Sequence, residues 1–213
     1  MSRRGTQAQR GAAQLVRFDA VQRAAHWTTS ALFFCLLATA IPLYFGSLFG
    51  TVLNRHTVEE IHLWSGLALP VPLLVAALGS WGGRTRRDLR RFIYWSRDES
   101  AWLRTMGRAR FRTGKFNPGQ KLNAVVLGGL FVVLLCTGAM LRWFEYFPVS
   151  TRTAATFVHD SFALAATIVV AGHVAMALAH PTALRSMFSG SVPERWASER
   201  APSWLDEVSA RDS

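Results

Sequence analysis

The stretch Ala155–His180, ATFVHDSFALAATIVVAGHVAMALAH, decides the fold. At 1.5 Å per residue, a helix of about twenty apolar residues crosses a hydrocarbon core of roughly 30 Å. This run is long enough, and Pro181 ends it. It also carries His159 and His173 inside the span. An ionisable group at that depth is costly and as a rule functional. The two lie fourteen residues apart, close to four helical turns. They therefore project from nearly the same face, roughly 21 Å apart along the axis.

Three further apolar blocks precede this one, at about 24–46, 58–78 and 122–143, with 155–180 as the fourth. The chain has 213 residues, is 50% hydrophobic and carries a formal net charge of +11. Its charges fall between the blocks rather than along amphipathic faces, which is the pattern of a membrane protein. The expected fold is all-α, an integral membrane four-helix bundle. Pro70 and Pro72 should kink the second helix near its middle. Gly128, Gly129 and Gly138 in the third allow close helix approach. Ser2-Arg3-Arg4 is not a twin-arginine export signal, because no hydrophobic pair follows it and the apolar run starts well downstream. Ala38-Thr39-Ala40 mimics a signal cleavage site, but inside an apolar run too long for a signal core.

Orientation follows from the basic residues. The N-terminal arm holds five Lys+Arg, the long loop 79–121 twelve and the C-terminal tail four. The two short connections with their helix ends hold only Arg55, Arg142 and Arg152. Cytoplasmic segments are the basic ones. The expected arrangement is a cytoplasmic arm (1–23), a transmembrane domain (24–180) and a cytoplasmic tail (181–213), N-in and C-in, with a long cytoplasmic loop between helices 2 and 3. The same asymmetry gives the positive charge its meaning and argues against a nucleic-acid partner. Leu89, Phe92, Ile93 and Trp95 among the loop arginines suit a segment lying on the membrane surface or against a partner.

Cys35 and Cys136 both sit within apolar blocks and read as buried packing. With no C-x-x-C, an iron–sulfur cluster or covalent c-type haem in this chain is not expected. The chemistry rests on histidine. His26 lies near the cytoplasmic end of helix 1, His62 near the outer end of helix 2, His159 near the outer end of helix 4 and His173 in its cytoplasmic half. Neutral imidazole is a common axial ligand of haem iron. Depth pairs His62 with His159 for an outer haem and His26 with His173 for an inner one. Two axial imidazoles leave no open position, so the expected role is electron carriage by two haem b groups, with all four histidines as iron ligands. Hydrogen bonding to a neighbouring helix is the alternative role for each. His180, on nearly the same face as His173, reads as interfacial, and His56 as solvent-facing. Arg142 stands equally between a haem propionate and simple snorkelling. Trp27, Trp64, Trp143, Phe144 and Tyr146 at the span ends fit an interfacial belt or a pocket wall equally.

Three stretches carry a resemblance to a known family. Arg17-Phe18 through Arg23-Ala24-Ala25-His26-Trp27 resembles the start of the cytochrome b (gamma) subunit of membrane-bound formate dehydrogenase. Lys115-Phe116-Asn117-Pro118-Gly119-Gln120-Lys121 resembles that family's signature before helix 3, and it is the most specific part. Gly172-His173-Val174-Ala175-Met176-Ala177 with Arg185-Ser186-Met187-Phe188-Ser189-Gly190 is also similar. Pro118 departs from the family pattern, which often has a small residue there. The resemblance implies two bis-histidine b haems on the same four residues and a quinone, menaquinone or ubiquinone, held by Asn117, Gly119 and Gln120 close to His173. It implies partners as well: an iron–sulfur subunit and a molybdenum or tungsten catalytic subunit, in a respiratory chain of the bacterial cytoplasmic (inner) membrane. Related subunits serve hydrogenases and other molybdenum or tungsten enzymes. Asn117-Pro118-Gly119 is also a good turn sequence into helix 3. A self-standing transmembrane reductase, and a non-redox membrane anchor or transporter, are the rival readings.

Overall fold

The computed structural model describes residues 13–46, 54–106, 108 and 111–211. Arg3, Arg4 and Arg10 of the arm, Arg110 of the long loop and most of the first short connection lie outside them. Four helical spans are long and apolar enough to cross a membrane: Ala20–Tyr44, Arg55–Ala77, Pro118–Arg142 and Val149–Ala179. At most 17% of the apolar window of each is buried within the chain. Phe157, Leu164, Ile168 and Leu178 point outward, a face that lipid covers at no cost and water does not. The protein is an all-α integral membrane protein, apart from one short sheet.

The elements are β1 (Gln14–Val16), α1 (Ala20–Tyr44), α2 (Arg55–Ala68), α3 (Val71–Ala77), α4 (Gly83–Ile93), α5 (Arg97–Arg104), α6 (Pro118–Arg142), α7 (Val149–Ala179), α8 (Pro181–Ser189), β2 (Ser191–Pro193), α9 (Glu194–Arg200) and α10 (Pro202–Ser209). The second span breaks outright between α2 and α3. Pro70 and Pro72 supply no N–H there, and Trp81 Nε1 donates to the Val75 carbonyl at 3.0 Å. The fourth begins at Val149, six residues before the apolar run, because Ser150 to Thr153 are polar yet helical.

The described residues fall into two compact units, those within 24–83 and 126–172, and those within 1–23, 84–125 and 173–213. The first of these has a core of Phe33, Leu69 and Ala166, with Leu36, Phe131 and Leu134 against it. Phe33 and Phe131 stack at 5.7 Å between centroids. Both cysteines here are free, and Cys136 is exposed rather than buried. A side chain at Gly128 or Gly129 would meet nothing within 4 Å among the described residues, so neither marks a close helix contact.

The second unit is more ordered than a polar tail suggests. β1 pairs antiparallel with β2, Leu15 opposite Val192, over a core of Val192, Ala197, Ala201 and Trp204. Arg17 N and Phe18 N both donate to Gly190 O, at 2.8 and 2.9 Å. Gly190 ends α8 with φ +86°, and a Cβ there would lie 2.6 Å from Phe18 O, so only glycine fits. Asp88 gathers four segments. It accepts from Gln22 Nε2 at 2.7 Å and Arg91 Nη1 at 2.7 Å, and it pairs with buried Lys115. Arg91 grips Glu207 of α10 with Nη2, at 2.6 and 2.7 Å. Lys121 pairs at 2.6 Å with Glu99, itself the capping residue of Ser96 at the start of α5.

Candidate functional site

In the unit built from 24–83 and 126–172, α2 carries His62 and α7 carries His159. Their rings face each other with centroids 6.4 Å apart and planes at 63°. A metal ion with an imidazole nitrogen about 2 Å away on each side sets the two centroids about 6 Å apart. Both imidazoles have a hydroxyl at Nδ1. Thr39 Oγ1 of α1 lies 2.9 Å from His62 Nδ1, and Thr137 Oγ1 of α6 lies 2.9 Å from His159 Nδ1. All four helical spans thus contribute to one site. Gly138, next to Thr137, is where α6 yields space: a Cβ would sit 3.3 Å from His159 Cε1. Its role is to admit the ring, rather than a neighbouring backbone.

No group of three or more His, Cys, Asp or Glu among the described residues is placed to hold a metal ion. A pair of imidazoles suits an iron whose remaining four ligands are porphyrin nitrogens. The centroid spacing and the two Nδ1 partners fit haem.

Of the other two histidines, His26 is as enclosed as the first pair and His173 is exposed. His26 is half-buried on α1, its ring 5.3 Å from that of Trp27, within the same unit. His173 belongs to the unit that holds the long loop, where Asn123 Nδ2 of α6 lies 3.4 Å from its Nδ1. His180 bonds locally, Nδ1 to Met176 O at 2.8 Å, and His56 is exposed in the first turn of α2. Arg142 is exposed at the end of α6.

The 115–121 stretch is built as a helix start. Gln120 N donates to Asn117 Oδ1 at 2.9 Å, and Asn117 N donates to Gln120 Oε1 at 3.0 Å. This is a reciprocal capping box with Pro118 at the first helical position. A Cβ on Gly119 would crowd Asn117 Oδ1 at 3.3 Å. Each amide oxygen accepts one capping bond, and both residues are exposed, with side-chain N–H groups as donors. The flanking lysines are buried pins, Lys115 on Asp88 and Lys121 on Glu99. Burial lowers Lys115 to about 8 against the pull of Asp88. It lowers Arg17, stacked on Phe18 and Trp196, to about 10. Arg17 Nη2 donates to Lys115 O at 3.2 Å, and Phe18 packs on Phe116 at 6.2 Å. The stretches around Arg17, Lys115 and Gly190 therefore meet in space.

Four apolar spans and a pair of facing, hydroxyl-held imidazoles define the class: an integral membrane protein of cytochrome b type. The chain belongs to the prokaryotic cytochrome b561 family, whose model matches residues 17–190. Family membership implies haem b as cofactor. Among known proteins, it is similar to the cytochrome b556(Fdn) subunit of the nitrate-inducible formate dehydrogenase of Escherichia coli strain K12, 24% identical over 91% of both chains. It is likewise similar to the formate dehydrogenase cytochrome b556 subunit of Haemophilus influenzae, 25% identical over 91% of this chain and 83% of that one. A third relative is the cytochrome b556(fdo) subunit of Escherichia coli, 23% identical over 91% and 93%.

Proposed function

We propose that the chain is the di-haem membrane subunit of a formate dehydrogenase complex, carrying electrons from a partner iron–sulfur subunit across the membrane to a quinone. The apposition of His62 and His159 at 6.4 Å carries this reading. The names of its relatives favour formate over the substrates of other molybdenum or tungsten enzymes.

His62 and His159 would hold one haem at the outer level, and His26 and His173 the other at the inner level. Held by two imidazoles, haem b would supply one-electron transfer and leave no open site for oxygen. The arm, long loop and tail lie in the cytoplasm, as their basic residues favour. The apolar helix surfaces exclude water from the histidines, and the threonines fix the two outer rings. At the cytoplasmic side, Asn117 and Gln120 present N–H donors to a quinone carbonyl, with Gly119 giving close backbone approach and His173 nearby. Protons for quinol formation come from the cytoplasm. An electron moving inward across the full membrane potential is worth about 2.3 kcal/mol per 100 mV, so turnover conserves energy if formate is oxidised outside.

The test is purification of the tagged chain from its native membranes. An iron–sulfur protein and a molybdenum or tungsten subunit should copurify, and formate should reduce the haem. Reduction of quinone by the isolated chain with a small-molecule donor and no partner would instead favour a self-standing reductase.

A further inference from the structure

Thr39 and Thr137 occupy equivalent places on different helices, and the proton count at each is fixed. Thr39 Oγ1 lies 2.8 Å from the Cys35 carbonyl and 3.0 Å from that of Leu36. Thr137 Oγ1 lies 2.8 Å from Val133 O and 3.3 Å from Leu134 O. Carbonyl oxygens only accept, so the arrangement that satisfies the helix contacts sends the single hydroxyl hydrogen back to a carbonyl in both cases. What each hydroxyl has left is lone pairs, and these face Nδ1 of His62 and of His159, both at 2.9 Å. Every contact becomes a hydrogen bond only when Nδ1 carries the ring proton and donates it to threonine. The proton on Nδ1 leaves Nε2 with its lone pair, the state an iron ligand needs. Both threonines are buried, at 9% and 8% exposure, so no water replaces the hydroxyl.

We infer that Thr39 and Thr137 are positioning residues that set the tautomer and ring plane of the outer pair, so that Nε2 of each imidazole is the ligating atom. The inference rests on the assignment of His62 and His159 as haem ligands. Partners of this kind hold ring orientation and raise ligand basicity, and their loss typically costs about 10–100-fold in metal affinity. Nothing in the apolar runs marks them as such, although Thr137 is the lone Ser or Thr of its span.

The experiment uses Thr39→Val and Thr137→Val, near-isosteric changes that a helix accepts, with Thr39→Ser and Thr137→Ser as rescues. Haem per chain, apparent haem affinity and the low-spin electron paramagnetic resonance signal are read on the purified complex. The valine variants should bind the outer haem about 10–100-fold more weakly and shift its resonance signal. The serine variants should restore both, and the inner haem signal, retained throughout, reports an intact fold. Valine variants with full outer haem and an unchanged signal overturn the inference, as do serine variants no better than valine. His62→Ala and His159→Ala separate the two layers. If they keep the outer haem, the ligand assignment fails and the inference with it. If they lose it while valine is silent, only the threonine inference fails.

Discussion

Asn117 and Gln120 cap one another, each side-chain oxygen accepting the other's backbone N–H, at 2.9 and 3.0 Å. The pair begins α6, and both residues are exposed, with side-chain N–H groups as donors. A helix start and a quinone contact are therefore compatible uses of the same residues, and a substitution has to tell them apart.

Replacing Asn117 and Gln120 with Ala should abolish quinone reduction while both haems remain. Loss of the cap costs about 1 kcal/mol, too little to unfold the chain. Asn117→Asp is the sharper change, because it keeps the capping oxygen and removes the N–H donors. Quinone reduction should fall in Asn117→Asp as in Asn117→Ala. Quinone reduction at the normal rate in the aspartate or the double alanine variant would remove this assignment and leave a cap alone.

Asp88 is the acceptor for Gln22, Arg91 and Lys115. Deleting one partner of a buried ion pair strands the other charge and costs about 3–5 kcal/mol. Asp88→Ala should therefore lower the melting temperature of the purified protein sharply. It should act more strongly than Asp206→Ala, whose 2.8 Å bridge to Arg112 is solvent-exposed and worth about 1 kcal/mol or less. Equal effects from the two variants would contradict the buried network.

Lys115 gives a pH dependence with a definite sign. Its ammonium is lowered from 10.5 to about 8 by burial. Below pH 8 it is protonated folded and unfolded alike, and the burial penalty is fully present. Between about 8 and 10.5 the unfolded chain holds a proton that the folded chain has lost, so this group's contribution to stability rises with pH. Lys115→Met has no titrating group at that position, and Arg17 is common to both proteins. The melting temperature of the native protein relative to Lys115→Met should climb from pH 8 to pH 10. A flat or falling difference would mean that Lys115 stays charged.

The spans were legible because a membrane-crossing helix must be apolar over its whole length, whatever its neighbours. That the rings of His62 and His159 lie at one depth was legible too, since a helix converts residue number into depth. Helix ends were less so: α7 starts at Val149 because Thr151 and Thr153 suit a helix as well as a loop. The partners of charge were hidden altogether. Arg17, Lys115 and Lys121 read as positive surface, yet all three are buried, because Asp88 and Glu99 approach from distant positions in the chain. The three-residue pairing of β1 with β2 is too short to show a period. Thr39 and Thr137 carry their role in the direction of a hydroxyl, which no spacing records.

Haem content tests the electron-carrying role most directly. A reduced-minus-oxidised absorbance spectrum of the purified protein, with haem quantified per chain, should show two low-spin b haems, with His62→Ala and His159→Ala each removing the same one. A single haem in the native protein would break one histidine pair, first of all His26 with His173. No haem at all would contradict the electron-carrying role of the site.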